Sequence, residues 1–241
     1  FIAFVVQYMN NSKPVLSQML EIKTNPGMTT SVVLPDSTVV YLNSESSLRY
    51  PTFFEGDTRD VELRGEAYFA VAKDLKKKFF VSTPHASKIE VLGTHFNVEA
   101  YDDEPDVSTT LVEGHVCFHF NDRDYRVKKV VMKPGQKLVY SSTSGDVRLY
   151  ATSGLSETAW KDGKIIFSNT PLEVALRMLE KRFNVTFIIK NTRLKTNAFT
   201  GTFTEQRLER ILEYFKISSK IQWIYLVSPD IQDERSKIEI Y

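Results

Sequence analysis

The chain has 241 residues, 42% of them hydrophobic and 25% charged, a globular composition that argues against a disordered or fibrous polypeptide. Its 31 basic and 30 acidic residues leave a formal net charge of +1, so the clustered basic excess of a nucleic-acid-binding surface is missing. The length fits one or two domains, and the single cysteine, Cys117, excludes an internal disulfide while leaving the compartment open.

The opening Phe1-Ile2-Ala3-Phe4-Val5-Val6 is apolar. It is far shorter than the ~20 residues that cross a bilayer, and it lacks the basic start of a signal peptide. It reads either as the outer end of a transmembrane helix that begins upstream or as a first strand or helix packed on the core.

From Val32 to Tyr150 the pattern is strand, turn, strand. Val61-Glu62-Leu63-Arg64 alternates apolar and polar residues, as a half-buried strand does. Gly65 then allows a bend before Ala67-Tyr68-Phe69-Ala70-Val71. Lys76-Lys77-Lys78 beside Asp74 reads as a solvated turn. Phe79-Phe80-Val81, Ile89-Glu90-Val91-Leu92 and Phe96-Asn97-Val98 follow at short spacing, and Glu113-Gly114 and Lys133-Pro134-Gly135 mark breaks. This spacing predicts an all-β domain, as a sandwich, a barrel or a short solenoid-like array.

Ser141–Gly154 is rich in Ser, Thr and Gly and reads as a loop at a domain boundary, which falls between Tyr150 and Gly163. Beyond Trp160 the period changes. Thr170-Pro171-Leu172-Glu173 reads as a capping box with proline at the first helical position. Leu172, Ala175, Leu176, Leu179 and Phe183 then recur at helical spacing. A second helix after Thr204 carries Leu208, Ile211, Leu212 and Phe215 on one face. Gly163 and Gly201 read as turn glycines. Phe167 and Phe203 are 36 residues apart, and the same offset relates Leu172 to Leu208, Leu176 to Leu212 and Val185 to Ile221. The offset predicts a duplicated βαβ-type unit folded as one small α+β domain. Its last strand, over Lys237, Ile238, Glu239, Ile240 and Tyr241, follows the polar, turn-like Ser228–Ser236 and is expected at a sheet edge, open to pairing with a partner.

His115-x-Cys117-x-His119 would point three potential ligands to one face of a strand, with Val116, Phe118 and Phe120 toward the core. Two imidazoles and a thiol suit zinc or copper, but a fourth ligand is not identifiable, and no bound metal is expected. His85 and His95 read as structural or exposed. No Ser/His/Asp set, paired-carboxylate motif or phosphate loop stands out, so no catalytic residue and no cofactor are assigned.

Several phrases in fixed order resemble one family. They are Leu34-Pro35-Asp36, Tyr41-Leu42-Asn43, Gly65-Glu66-Ala67-Tyr68-Phe69 and Leu92-Gly93-Thr94-His95-Phe96-Asn97-Val98, then Lys133-Pro134-Gly135-Gln136, Trp160-Lys161-Asp162-Gly163 and Phe167-Ser168-Asn169-Thr170-Pro171-Leu172. In this order they resemble the ferric-citrate-regulator (FecR) family of anti-sigma factors. One departure is Ser37, where the family has glycine, so a turn of another type is expected there. Residues from about Ile165 to Tyr241 also resemble, by layout, the short domain at the N-terminus of secretins and TonB-dependent receptors.

The resemblance implies a juxtamembrane segment over residues 1–30, an all-β domain over 31–150 and an α+β domain over 160–241. It favours the transmembrane reading of Phe1–Val6. It implies the periplasmic part of a single-pass inner-membrane regulator, not an enzyme. The partners it implies are the N-terminal domain of an outer-membrane TonB-dependent transporter and, through a cytoplasmic segment not among these residues, an extracytoplasmic-function sigma factor. The alternative kept open is a secreted or surface carbohydrate-binding module, since all-β domains with exposed aromatics often bind sugars.

Overall fold

The computed structural model describes residues 16–226 and 235–241. Phe1–Val6, and residues 228–234 of the polar turn expected before the last strand, lie outside the described residues.

The organising element is one long strand, β5 (Thr58–Ala70). Before it come β1 (Met19–Lys23), β2 (Thr30–Val33), β3 (Val39–Leu42) and β4 (Ser47–Pro51). After it come β6 (Lys78–Ser82), β7 (Lys88–Val91), β8 (His95–Ala100), β9 (Asp106–Glu113), β10 (Val116–Asn121), β11 (Val127–Met132), β12 (Gln136–Ser141) and β13 (Val147–Ala151). The first half of β5 lies between β4, antiparallel, and β6, parallel. Its second half lies between β3 and β8, both antiparallel. Two wings therefore share one strand. The first runs β1-β4-β5-β6-β7-β10-β11 and the second β2-β3-β5-β8-β9-β12-β13, and together they form a single curled 13-stranded sheet, a half-barrel.

Gly65 is where the strand changes wings. Its φ is +91°, and a Cβ there would lie 2.3 Å from Ser46 Oγ. Any other residue would be strained in backbone and in contact.

The core fills the concave side, and both wings contribute to it. Phe69 stacks on Phe96 with centroids 5.1 Å apart and meets Phe79 edge-on at 6.3 Å, while Phe118 packs on Tyr140 at 6.0 Å. Such pairs add roughly 0.5–1.5 kcal/mol each beyond their burial. Arg59 is the exception among these apolar neighbours. Its guanidinium is buried and is held by Asp36 at 2.6 Å and by the carbonyls of Ala72 and Lys77 at 2.8 and 3.0 Å. Asp36 also accepts from the Thr38 amide at 3.0 Å, which fixes the turn at Ser37. That turn does use the left-handed region: Ser37 has φ 70°, so a turn avoiding it, as the sequence suggested, is corrected.

Other expectations also change. Ser141–Gly154 is not a loop throughout, because β13 pairs with β12 from Tyr140↔Val147 to Gln136↔Ala151. Part of the expected juxtamembrane stretch is a strand, since β1 pairs with β4.

A second hydrophobic cluster belongs to the C-terminal unit. A short helix, α1 (Leu155–Thr158), and a 3-10 turn over Ala159–Asp162 lead into it. Its elements are β14 (Ile165–Pro171), α2 (Leu172–Phe183), β15 (Val185–Ile189), β16 (Ala198–Phe203), α3 (Leu208–Ser219), β17 (Trp223–Leu226) and β18 (Ser236–Ile240). The order strand, helix, strand occurs twice. The two strands of each set lie in different sheets, however: β14 pairs with β16, whereas β15 and β17 flank β18. The helices bury Leu172, Ala175, Leu176 and Leu179, and Leu208, Ile211, Leu212 and Phe215, the faces read from spacing.

The capping box is not formed. Pro171 is itself the N-cap, and the Thr170 hydroxyl accepts from the Ser168 amide at 3.0 Å inside the bulge of β14. The first helical amide, of Leu172, donates instead to the Asn197 carbonyl at 2.9 Å. Gly201 is no turn glycine, because it sits within β16 opposite Phe167.

Gly65→Ala is expected to destabilise the protein by about 2 kcal/mol or more. Gly56→Ala, at φ +60° with nothing within 4 Å, should cost only about 1 kcal/mol of backbone strain. Urea unfolding of the two variants checks this, and equal losses would contradict the wing-switch reading of Gly65.

Candidate functional site

The convex face of the second wing carries a row of polar side chains that the C-terminal unit covers. On β5 the outward positions Glu62 and Arg64 are exposed, but Glu66 and Tyr68, further along the same face, are buried. The change occurs because α2 and the turn at Trp160 lie over the second half of the strand.

Glu66 is the centre of the row, with a side chain only 7% exposed. Each of its carboxylate oxygens takes an amide donor: Asn43 Nδ2 donates to Oε2 at 2.8 Å and Asn97 Nδ2 to Oε1 at 2.9 Å. Its backbone amide donates to Ser46 Oγ at 2.8 Å. From α2, Lys181 Nζ reaches Glu66 Oε2 at 3.3 Å and forms a close ion pair with Glu99 of β8. The same ammonium stands 4.4 Å from the centroid of the Tyr101 ring, whose hydroxyl donates to the Ser44 carbonyl at 2.9 Å. Trp160 Nε1 completes the row by donating to Asn97 Oδ1 at 3.2 Å. Further out, Arg177 pairs with Glu104 at 3.0 Å.

The electrostatics follow from this enclosure. Burial pushes the Glu99 carboxyl up, but the Lys181 charge and hydrogen bond outweigh it and bring the group down to about 2. Burial pulls the Lys181 ammonium down, and the facing Glu66 and Glu99 charges more than reverse this, holding it well above the usual lysine range. Burial raises the Tyr101 hydroxyl and the Glu104 carboxyl. Lys181 is therefore charged in the assembled state. A buried ion pair adds little net stability, yet removing one partner leaves an uncompensated charge and costs about 3–5 kcal/mol. Chemically the row is a clasp, which holds the two units in one register and is weakened by any shift of α2.

A cleft of roughly 890 Å³ opens beside the clasp. Ser108, Lys137 and Tyr150 line its β-domain side, and Asn169, Val174 and Met178 line the other.

The clasp also connects to the first strands. Gly27, in the turn between β1 and β2, donates to Ser44 Oγ at 2.8 Å and packs against Asn184, the residue after α2, where a Cβ on Gly27 would lie 3.3 Å from the Asn184 Cβ. Thr24 bonds to both Asn43 and Ser46. Arg235, just before β18, pairs with Glu45.

Of the residues expected to bind a partner, Lys237, Ile238, Glu239, Ile240 and Tyr241, the first four belong to β18. The expectation that this strand is an edge is corrected: β18 is the central strand, parallel to β15 on one side and antiparallel to β17 on the other. Ile238 and Ile240 are fully buried. The outer strands of this sheet are β15 and β17. Of the histidine–cysteine set, Cys117 and His119 share the outward face of β10, whereas His115 precedes the strand and is exposed.

Sequence reasoning did not single out the clasp. Its signal was present, since Asn43, Glu66 and Asn97 are polar residues set inside the largely apolar phrases quoted above and Trp160 opens another of those phrases. Glu99 and Lys181 had no such mark.

The site thus joins a curled β domain to an α+β unit through buried charges. The family profile described as FecR protein matches residues 21–117, and that described as FecR, C-terminal, matches residues 164–230. The chain belongs to the FecR family of anti-sigma factors and is a signalling regulator. Two crystal structures of a protein from Parabacteroides distasonis ATCC 8503 assigned as an anti-sigma factor, at 1.65 and 2.50 Å resolution, are similar to it. Both are 29% identical with a TM-score of 0.78, and the alignments cover 92% and 93% of this chain and 98% and 99% of theirs. No curated protein matches the chain. Among the described residues no helix is long and apolar enough to cross a membrane.

Lys181→Met is expected to destabilise the protein by about 3 kcal/mol or more near neutral pH. Glu99 is depressed from 4.5 to about 2, so its contribution is present above the unfolded value and is lost as pH falls toward 2. Without Lys181 the buried carboxyls bind protons more readily. The gap between wild type and variant should therefore narrow as pH is lowered from about 6 to about 3. Denaturant unfolding across that range measures the gap, and a gap independent of pH would refute the assignment.

Proposed function

We propose that this chain is the periplasmic signal-receiving region of a single-pass inner-membrane anti-sigma factor. In this reading a TonB-dependent outer-membrane transporter supplies the signal through its N-terminal domain. The regulator passes it to an extracytoplasmic-function sigma factor, held by a cytoplasmic segment not among these residues. Family membership supports the sigma-factor end of this reading.

One observation carries the relay. The clasp joins α2 of the C-terminal unit to Glu66 and Glu99 of the β domain, and the same contact continues through Ser44 and Ser46 to the turn between β1 and β2. A partner that shifts the C-terminal unit would act on Lys181 and Asn184 together. Asn184 packs directly on Gly27, near the start of the chain, and Lys181 reaches the same turn through Glu66, Ser46 and Ser44.

The partner surface in this reading is the outer strand β17, where Ile224 is 50% exposed and Tyr225 and Leu226 are also open. An outer strand offers backbone groups for pairing with a partner strand. The contact would be small, about 1,200 Å² or less of total buried area, as transient signalling contacts are.

Titration of the chain with the N-terminal domain of the transporter encoded beside it should give saturable binding. Ile224→Arg should weaken it, and Val127→Arg, on the outer strand β11, should leave it unchanged. In the full-length regulator Lys181→Met should preserve transporter binding but abolish the change in sigma-dependent transcription. Binding lost in Val127→Arg and kept in Ile224→Arg would move the docking role to the β domain. A normal transcriptional response in Lys181→Met would remove the clasp from the relay.

A further inference from the structure

The convex face of the first wing carries a cluster that the signalling role does not use. Cys117 and His119 are two apart on β10 and point outward, because Val116, Phe118 and Phe120 fill the core. On the neighbouring β7, Glu90 is the direct cross-strand partner of Cys117. The Cys117 sulfur, a His119 ring nitrogen and a Glu90 carboxylate oxygen all lie within 4.8 Å of one another. His119 Nε2 is 3.0 Å from Glu90 Oε2. All three residues are partly exposed, so the site is open to solvent.

We propose that Glu90, Cys117 and His119 form a zinc site with solvent as the fourth ligand. The donor set is one thiolate, one imidazole and one carboxylate, which suits a borderline-soft divalent cation. A tetrahedral zinc ion with bonds of about 2.0–2.3 Å needs donors roughly 3.3–3.8 Å apart. Two strands in ladder register already place these donors near that spacing, so small side-chain rotations complete the site. As the Zn–S bond forms, the thiol proton leaves to solvent.

The site already draws a cation. Lys78 of β6 extends its ammonium to Glu90 Oε1 at 2.7 Å, while its side chain is 53% exposed. It can swing into water when a metal takes its place. The other lysines nearby are differently placed: Lys88, opposite His119, pairs with Asp60 at 2.9 Å, and Lys129 on β11 is exposed.

The proposal replaces the ligand set suggested by the sequence. His115 drops out, and Glu90, 27 residues before Cys117 in the chain, takes its place through strand pairing. It also reverses the expectation of no metal, which rested on the missing ligand.

The test is calorimetric titration of the chelator-treated chain with Zn²⁺ alone, under reducing conditions. One ion per chain is expected. Cys117→Ser and Glu90→Gln should each weaken binding roughly tenfold or more, and His115→Ala should leave it unchanged. Lys78→Ala should tighten it, because the ammonium that competes for Glu90 is gone, and this substitution reads the site without replacing a ligand. Co²⁺ should produce a sulfur-to-metal charge-transfer band that Cys117→Ser abolishes. No saturable binding, or binding unchanged in Cys117→Ser, would overturn the site.

Discussion

The structure depends on keeping one carboxylate, Glu66, inside. It lies on the strand that both wings share, one residue beyond the glycine where that strand changes partners. A buried carboxylate without partners is too unfavourable to keep. The fold surrounds this one with two asparagine amides and a lysine ammonium drawn from three other elements. Asn43 follows β3, Asn97 lies on β8 and Lys181 on α2. These partners fix where β3 ends and how β8 aligns with β5, and Lys181 fixes where the C-terminal unit sits. Had that unit bound elsewhere, Glu66 would face water as Glu62 does.

Helix α2 is consequently a shared wall. Its Leu172, Ala175, Leu176 and Leu179 close the core of its own unit. Val174, Arg177, Met178 and Lys181 face the cleft and the β domain. The apolar side supplies stability to the C-terminal unit. The charged side supplies register between the units at little net gain in stability, which is how buried ion pairs behave when both partners are present. An element held firmly on one side and by geometry-sensitive charge on the other suits a contact that has to be altered by a partner.

Much of this was legible in the sequence because it depends on local period. The alternation in Val61–Arg64, the helical spacing from Leu172 to Leu179 and the glycine at 65 each report a local rule. What was not legible depends on pairing between distant segments. β18 looked like an edge because the polar, turn-like Ser228–Ser236 precedes it. It is central because a parallel neighbour, β15, joins it across some fifty residues. β13 (Val147–Ala151) is itself largely apolar, and it was hidden because the Ser-, Thr- and Gly-rich residues on either side set the character of the whole stretch. Pro171 marked the helix start to within one residue, standing at the N-cap instead of the first helical position, and the threonine before it was already engaged in a strand bulge. The clasp lay in plain view as polar letters in apolar phrases, yet Lys181 reads as one more exposed helix lysine until α2 is placed.

The two convex faces of the curled sheet have different fates, and β5 explains the difference. Along its first half the outward residues are solvated, and the wing that continues from it through β6, β7 and β10 keeps an open face with Lys78, Glu90, Cys117 and His119. Along its second half the outward residues are sealed by α2 over Glu66 and by the turn at Trp160 over Tyr68. Gly65 marks the boundary, and the interior behind it is one continuous apolar cluster. A ligand on the open face bears on β7 and β10, two strands or more from β5, while a partner acting on α2 bears on β5 itself. Only strain carried through β5 or its core neighbours could couple them, because no polar chain crosses from Glu90 to Glu66 among the hydrogen bonds of the described residues. Close-packed interiors transmit such strain, so the two faces need not act independently even though they share no contact.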